Sequence, residues 1–240
     1  MSTVSPDVLK DLAPTGTLRA SINLGNIVLA QGTPDNPGGV TPELARELGR
    51  RLGVPVSLTC FDAAGKAFEA MKAGKVDIVF LAIEPVRAAE IAFTAPYVII
   101  EGVYMVPKSS PLKSVADVDR DGVRIGVNKG SAYDLFLTRT LKAAKLVRGE
   151  DGIQEFVNGK LEAAGGVKQP RAAYAKTNPN VKIMDGRFME IQQAMGTQKN
   201  RPAGSKYLHA FVEEMKASGF VADALKRSNQ GDAQVAPAGG

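Results

Sequence analysis

The tightest constraint on the fold is the run Val76-Asp77-Ile78-Val79-Phe80-Leu81-Ala82, apolar except for one acid near its start. A strand that is apolar at successive positions has no face to offer water, so this run fits a parallel strand covered on both sides. Glu84-Pro85-Val86-Arg87 follows. Proline tolerates a first helical position, and an acid just before it suits a helix N-terminus. Ala88 to Ile91 then reads as a short helical turn, and Phe93-Thr94-Ala95-Pro96-Tyr97 leads out to the next apolar run. Arg87 therefore falls about one turn beyond the carboxyl end of a central strand, where ligands bind in open α/β sheets. Its guanidinium offers a planar fork of donors suited to a carboxylate. Position alone serves a solvated helix-start arginine equally well.

The flanking chain repeats the alternation of strand and helix. Leu18 to Ile22 reads as a strand, Asn23 to Asn26 as a polar loop, and Thr33 to Gly39 as a turn cluster. Thr41-Pro42-Glu43 reads as a helix start with Thr41 as N-cap; Leu44, Leu48 and Leu52 recur at helical spacing, and Gly53 closes the helix. Val54 to Phe61 is a strand and Ala67 to Ala73 a helix. Val98 to Val106 is a long apolar strand broken by Pro107 to Pro111. Beyond it, Val123 to Val127 reads as a strand, Tyr133 to Leu146 as a helix and Leu161 to Gly166 as a small-residue strand. Pro170 starts another helix, Val181 to Met184 is a strand, and Tyr207 to Met215 and Phe220 to Leu225 are helices. From Asn229 onward nothing could bury a core, and the segment is expected to be disordered.

Two short stretches recur in the same order. Leu18-Arg19-Ala20-Ser21-Ile22-Asn23-Leu24-Gly25-Asn26 aligns with Val123-Arg124-Ile125-Gly126-Val127-Asn128-Lys129-Gly130-Ser131, with Arg, Asn and Gly in register. Gly74-Lys75-Val76-Asp77-Ile78 matches Gly159-Lys160-Leu161-Glu162-Ala163. Two halves built on one βαβ-type plan predict two lobes. The crossovers are expected near Tyr104 to Lys108 and near Asp185 to Gln193. The lobes are then 1–104 with a return over 189–228, and 105–188, with 229–240 as tail.

Composition narrows the function. The 240 residues carry a net charge of +5, and the basic residues are spread without a run, so no nucleic-acid stripe is indicated. A single cysteine, Cys60, excludes an internal disulfide and a cysteine-based metal cluster; with one histidine, His209, a Ser-His-Asp or Cys-His catalytic set is not expected. No stretch approaches the ~20 apolar residues of a membrane span. No catalytic residue, metal or cofactor is assigned.

The pattern G-K-V-D, apolar strand, x-x-x-R, then F-T-x-P-Y resembles the periplasmic solute-binding proteins of the polar-amino-acid type, family 3 of the extracellular receptors of ABC importers. The resemblance covers roughly residues 16 to 228. It implies an α/β, two-lobed periplasmic-binding-protein-like fold with a hinge of two crossovers. It also implies a small carboxylate or amino-acid-like solute in the inter-lobe cleft, a membrane permease as partner, and a monomer. A periplasmic location needs a secretory signal, and the first sixteen residues lack the basic-then-apolar pattern; a cytoplasmic location is the expectation if the chain is complete as written.

The resemblance carries the α-carboxylate-binding role onto Arg87. It places Asn23 and Asn26 in the first-lobe loop, where relatives often carry an acid and an aromatic. Phe80 and Ala82 stand where relatives place small hydroxyl residues. Lys129, Gly130, Ser131 and Ala132 form the second-lobe loop, where amides at a helix start make an anion site. Turn chemistry for the asparagines, core packing for Phe80 and N-capping for Ser131 are the structural alternatives. One departure stands out. After the strand matching Leu161 to Gly166, relatives hold the α-ammonium with an acid; here the chain reads Gly165-Gly166-Val167-Lys168-Gln169. A ligand without that ammonium becomes competitive, because an unpaired buried charge is costly. A dehydratase acting on a cyclic carboxylic acid, with Glu84, Glu101 or Lys129 as proton-transfer groups, is the alternative on the same scaffold. The effector domain of a transcription regulator would need a DNA-binding module, for which the residues before the first strand are too few.

Overall fold

The computed structural model describes residues 4–239, and the chain divides into two units, Met1–Ile99 with Gln192–Gly240, and Ile100–Ile191. Unit 1 begins with α1 (Pro6–Leu12), β1 (Leu18–Asn23) and a small hairpin of β2 (Gln31–Thr33) and β3 (Asn36–Gly38). It continues through α2 (Val40–Leu52), β4 (Val56–Phe61), α3 (Ala64–Lys72), β5 (Ile78–Ala82) and the short α4 (Pro85–Ala88). The long β6 (Ile91–Pro107) carries the chain into unit 2. There follow β7 (Arg124–Asn128), α5 (Ala132–Thr140), β8 (Lys145–Gly149), α6 (Gly152–Gly159), β9 (Ala163–Val167), α7 (Lys168–Thr177) and β10 (Val181–Ile183). β11 (Met189–Gln198) returns to unit 1, which closes with α8 (Pro202–Ala217), α9 (Phe220–Arg227) and β12 (Gln234–Val235).

The two units share one strand plan. In unit 1 the order is β4-β1-β5-β11, with β1 parallel to both β4 and β5 and β11 antiparallel to β5. In unit 2 it is β8-β7-β9-β6, with β7 parallel to both β8 and β9 and β6 antiparallel to β9. β5 and β9 are buried at every position, as an apolar strand covered on both faces must be.

The repeated residues have a common structural job. Arg19 of β1 donates from its backbone N–H (3.1 Å) and Nε (3.0 Å) to Oδ2 of Asp77, and from Nη2 to Oδ1 (2.9 Å). Arg124 of β7 makes the same three bonds to Glu162, at 2.8, 2.9 and 2.8 Å. In each unit the acid just ahead of the central strand thus clamps the start of its parallel neighbour and pins the register. Asp77 is fully buried and also accepts from Nη1 of Arg201 at 2.9 Å. Burial alone would raise its pKa, but the bonds from Arg19 and Arg201 outweigh that and hold it below the ordinary carboxylate range.

Four expectations are corrected. The N-cap of α2 is Gly39, at φ +103°, not Thr41, whose hydroxyl donates to the Leu29 carbonyl. The helix expected to reach Leu146 stops at Thr140. The cause is Asp119, whose carboxylate accepts the amides of Lys142, Ala143 and Ala144 and draws that segment out toward β8, an edge strand beside β7. The chain passes between units at 99/100 and 191/192 rather than at 104/105 and 188/189. Lastly, the segment after Asn229 is ordered: β12 pairs with Val98 and Ile99 of β6, Ala233 and Ala236 are buried, and Lys216 donates to the Pro237 carbonyl at 2.9 Å. Two small apolar side chains and backbone pairing to an open edge suffice where a core-forming pattern is missing.

Asp77→Ala is expected to destabilise the protein by about 3 kcal/mol, since it strips the shared carboxylate from two arginines. Glu162→Ala, whose pair is 35–44% exposed, should cost under about 1 kcal/mol. Because the folded pKa of Asp77 is depressed, its contribution is present in full at neutral pH. It is lost as pH falls below the unfolded value of about 3.9 toward the folded one. Urea unfolding of the two variants and the parent at pH 7 and pH 3 checks both the ranking and the sign.

Candidate functional site

In each unit, two loops emerge from the carboxyl ends of neighbouring parallel strands. In unit 1 these are Asn23 to Asn26 after β1 and Ile83 to Arg87 after β5. Asn23 and Asn26 are half-buried, and their side-chain oxygens accept from the backbone of Gly25 (2.9 Å) and Val28 (3.2 Å). The oxygens thus build the turn, and the amide nitrogens remain as the groups able to face a solute. Phe80 is core: it meets Tyr97 edge-to-face with centroids 6.2 Å apart. Ala82 contributes its carbonyl, which accepts from Nη1 of Arg87 at 3.1 Å.

Arg87 is 1% exposed, so it is not a solvated helix-start residue. Glu84, the residue before α4, is also buried, 2% exposed. Burial pulls the Arg87 pKa down to about 10, against the opposing field of Glu84. The guanidinium therefore stays charged at neutral pH in a site of low dielectric, where a carboxylate partner is held far more strongly than in water.

In unit 2 the loop Asn128 to Ser131 follows β7, and Lys168 to Arg171 follows β9. Ser131 caps α5, accepting the Asp134 amide at 3.1 Å. Its own N–H donates to the Asn128 carbonyl at 3.2 Å, so the open first-turn amides belong to Ala132 and Tyr133 rather than to Ser131. Gly130, at φ +74°, bends the loop so that its N–H reaches Oδ2 of Asp134 at 2.9 Å. Asp134 in turn is held by Nε of Arg148 at 2.8 Å and by the Thr138 hydroxyl. This buried carboxylate organises the loop. The Lys129 side chain is exposed.

The acid missing after β9 is replaced by a buried arginine. Arg171, 2% exposed, donates from Nη1 to the Val167 carbonyl (3.3 Å) and from Nη2 to the Gly165 carbonyl (2.5 Å). Its guanidinium lies over the Tyr133 ring, 5.3 Å from the centroid. Glu101, a candidate substitute acid, sits beside Lys168 (3.7 Å) and Arg187 (4.0 Å) and is partly exposed.

A family model for bacterial extracellular solute-binding proteins, family 3, matches residues 28–229. The chain belongs to that family. Several solved structures share the fold. A mutant of ArgBP from T. maritima superposes with a TM-score of 0.77 at 20% identity, covering 92% of this chain and 99% of that one. The substrate-binding protein AbpA of an amino acid ABC transporter from Streptococcus pneumoniae, bound to L-arginine, gives 0.74 at 21%, with 90% and 98% covered. An ancestral amino-acid-binding protein described as a precursor of cyclohexadienyl dehydratase gives 0.75 at 24%, with 91% and 98% covered. No curated protein matches the sequence significantly.

Within this solute-binding fold, Asp134, Tyr133 and Arg171 are the residues that sequence reasoning passed over. Arg171 had a signal: it directly follows Pro170, while Arg87 stands two places after Pro85, both beyond strands whose starts already matched. Ser131→Ala is expected to cost about 1 kcal/mol, the ordinary value of a lost N-cap. Asp134→Ala should cost about 3 kcal/mol, because it removes a buried carboxylate that accepts from Arg148, the Thr138 hydroxyl and the Gly130 amide. Denaturant titration monitored by circular dichroism tests whether Asp134 outranks the cap.

Proposed function

We propose that this chain is the solute receptor of an ATP-driven importer, binding a small carboxylate or amino-acid-like solute and delivering it to a membrane permease without chemical change. The observation that carries the reading is Arg87: a charged, buried guanidinium just past the carboxyl end of the central strand, in a member of family 3. In this reading Arg87 takes the solute carboxylate. Asn23 and Asn26 contribute amide nitrogens, Phe80 and Ala82 the packed support, and Lys129, Gly130, Ser131 and Ala132 the second-unit loop. The receptor works as a single chain on the outer side of the cytoplasmic membrane, in keeping with a family of extracellular proteins. Among the described residues no helix is long and apolar enough to cross a membrane.

The alternative, a dehydratase of cyclic carboxylic acids, gains support from the fold shared with the ancestral precursor. Against it, Glu101 is flanked by two cations and Lys129 faces solvent, so neither stands as a desolvated acid or base. Incubation with cyclic carboxylic acids and assay for product separates the readings: repeated turnover would establish the enzyme.

Once a solute is identified by native mass spectrometry of the purified protein, its dissociation constant should rise by roughly two to four decades in Arg87→Ala. That range follows from two charge-assisted bonds of about 1.5–3 kcal/mol each. Arg87→Lys should recover only part, because it keeps the charge without the fork. A folded Arg87→Ala that binds within about threefold of the parent removes the arginine from the site.

A further inference from the structure

The C-terminal segment adds little to the core of unit 1, yet it holds one short piece of chain at several points. It starts at Asn229, whose left-handed φ of +59° turns the chain out of α9. The turn is fixed by the Asn229 N–H donating to the Lys226 carbonyl and the Gln230 N–H to the Leu225 carbonyl. Gln234 then pairs with Ile99 and Val235 with Val98, and the Ala236 N–H donates to the Tyr97 carbonyl at 3.0 Å. Lys216 of α8, whose side chain is 5% exposed, donates to the Pro96 carbonyl at 3.1 Å and to the Pro237 carbonyl at 2.9 Å. Its ammonium also meets Oε1 of Glu213 at 2.7 Å, and Oε2 of that residue accepts the Gly239 N–H at 3.1 Å. Residues 96–99 of β6 are therefore all held by the tail or by the lysine that anchors it.

Those residues are the last of unit 1 before the chain passes into unit 2 at 99/100. The return passage at 191/192 is anchored differently. The Ile83 N–H donates to the Gln192 carbonyl at 2.9 Å and Gln193 pairs with Ala82, so β11 enters unit 1 beside the central strand β5. β5 is buried at every position and cannot leave without unfolding the unit. The tail rests on backbone bonds, one ammonium and two small buried side chains, Ala233 and Ala236. When it departs, β6 keeps β11 as a sheet neighbour. Segments with few buried apolar contacts open at a fraction of the cost of global unfolding.

We infer that residues 230–239 form a removable strap that stiffens β6 where it leaves unit 1, with Lys216 as its anchor. The strap limits bending of the strand at the unit boundary. It takes no part in solute contact, and the inference goes beyond the receptor reading without resting on it. The alternative is that the tail only seals an open strand edge, with no mechanical consequence beyond the residues it touches.

The test combines residue-resolved amide hydrogen exchange with 15N relaxation, on the whole chain and on three variants. Ala236→Glu puts a charge where a buried methyl sits, Lys216→Met removes the anchor, and a stop after Asn229 removes the strap. Each is expected to speed exchange of the 97–99 amides that face the tail roughly 10-fold, while β1 and β5 stay within about twofold of the parent. The order parameters of Ile100 and Glu101, which lie past the strap, should fall from the roughly 0.85 of rigid backbone toward 0.6. In the parent, the tail and the 97–99 amides facing it should open together, at lower cost than α8. Faster exchange confined to residues 97–99, with Ile100 and Glu101 as ordered as in the parent, would reduce the tail to an edge seal and overturn the inference. Variants that fail to fold, or a parent tail that opens only together with α8, would make the segment part of the core and overturn it as well.

Discussion

The arginine–carboxylate clamp at the start of the parallel strands sets up everything downstream. A parallel pair has no hairpin to fix its register, so the register must be specified by side chains. Arg19 does this by gripping Asp77 with its backbone and side chain together, and Arg124 does the same with Glu162. With that end pinned, the opposite ends of β1 and β5 lie side by side, and so do those of β7 and β9. The loops carrying Asn23, Asn26, Arg87, Ser131 and Arg171 are adjacent within their units for this reason.

The two ends of these strands treat charge differently. At the amino ends, arginine and acid neutralise each other, and the pair contributes to stability. At the carboxyl ends, an arginine is buried in each unit, and in unit 2 no acid pairs with it among the described residues. A protein stabilised only for folding would be expected to pair such a charge or to replace it with an apolar residue. Retention of the charge at one end, with a clamp at the other, sets the two ends of these strands apart.

Neighbours of similar fold include proteins bound to L-arginine, yet they are only 19–24% identical to this chain. At that distance the scaffold is shared and the side chains that read the solute are free to differ. The replacement of an expected acid by the Gly165-Gly166 pair and Arg171 is such a difference. Gly166 leaves the volume that the guanidinium fills.

The sequence by itself determined the local and repetitive features. The fully apolar β5, the Pro-x-Arg turn after it, the N-cap at Ser131 and the paired Arg and acid positions are all carried by residues close together or recurring in register. They made the two-unit α/β plan legible. Tertiary structure decided what depends on distant partners. Asp119 ends α5 by capturing three amides more than twenty positions away, and Val98 and Ile99 order a C-terminal segment with no pattern of its own. The burial of Arg171 depends on Tyr133 and on Gly166 of β9. Composition and periodicity report which residues could be covered. Whether a charged side chain is covered, and whether an acid lies close enough to balance it, is settled only when segments far apart in the chain are packed together.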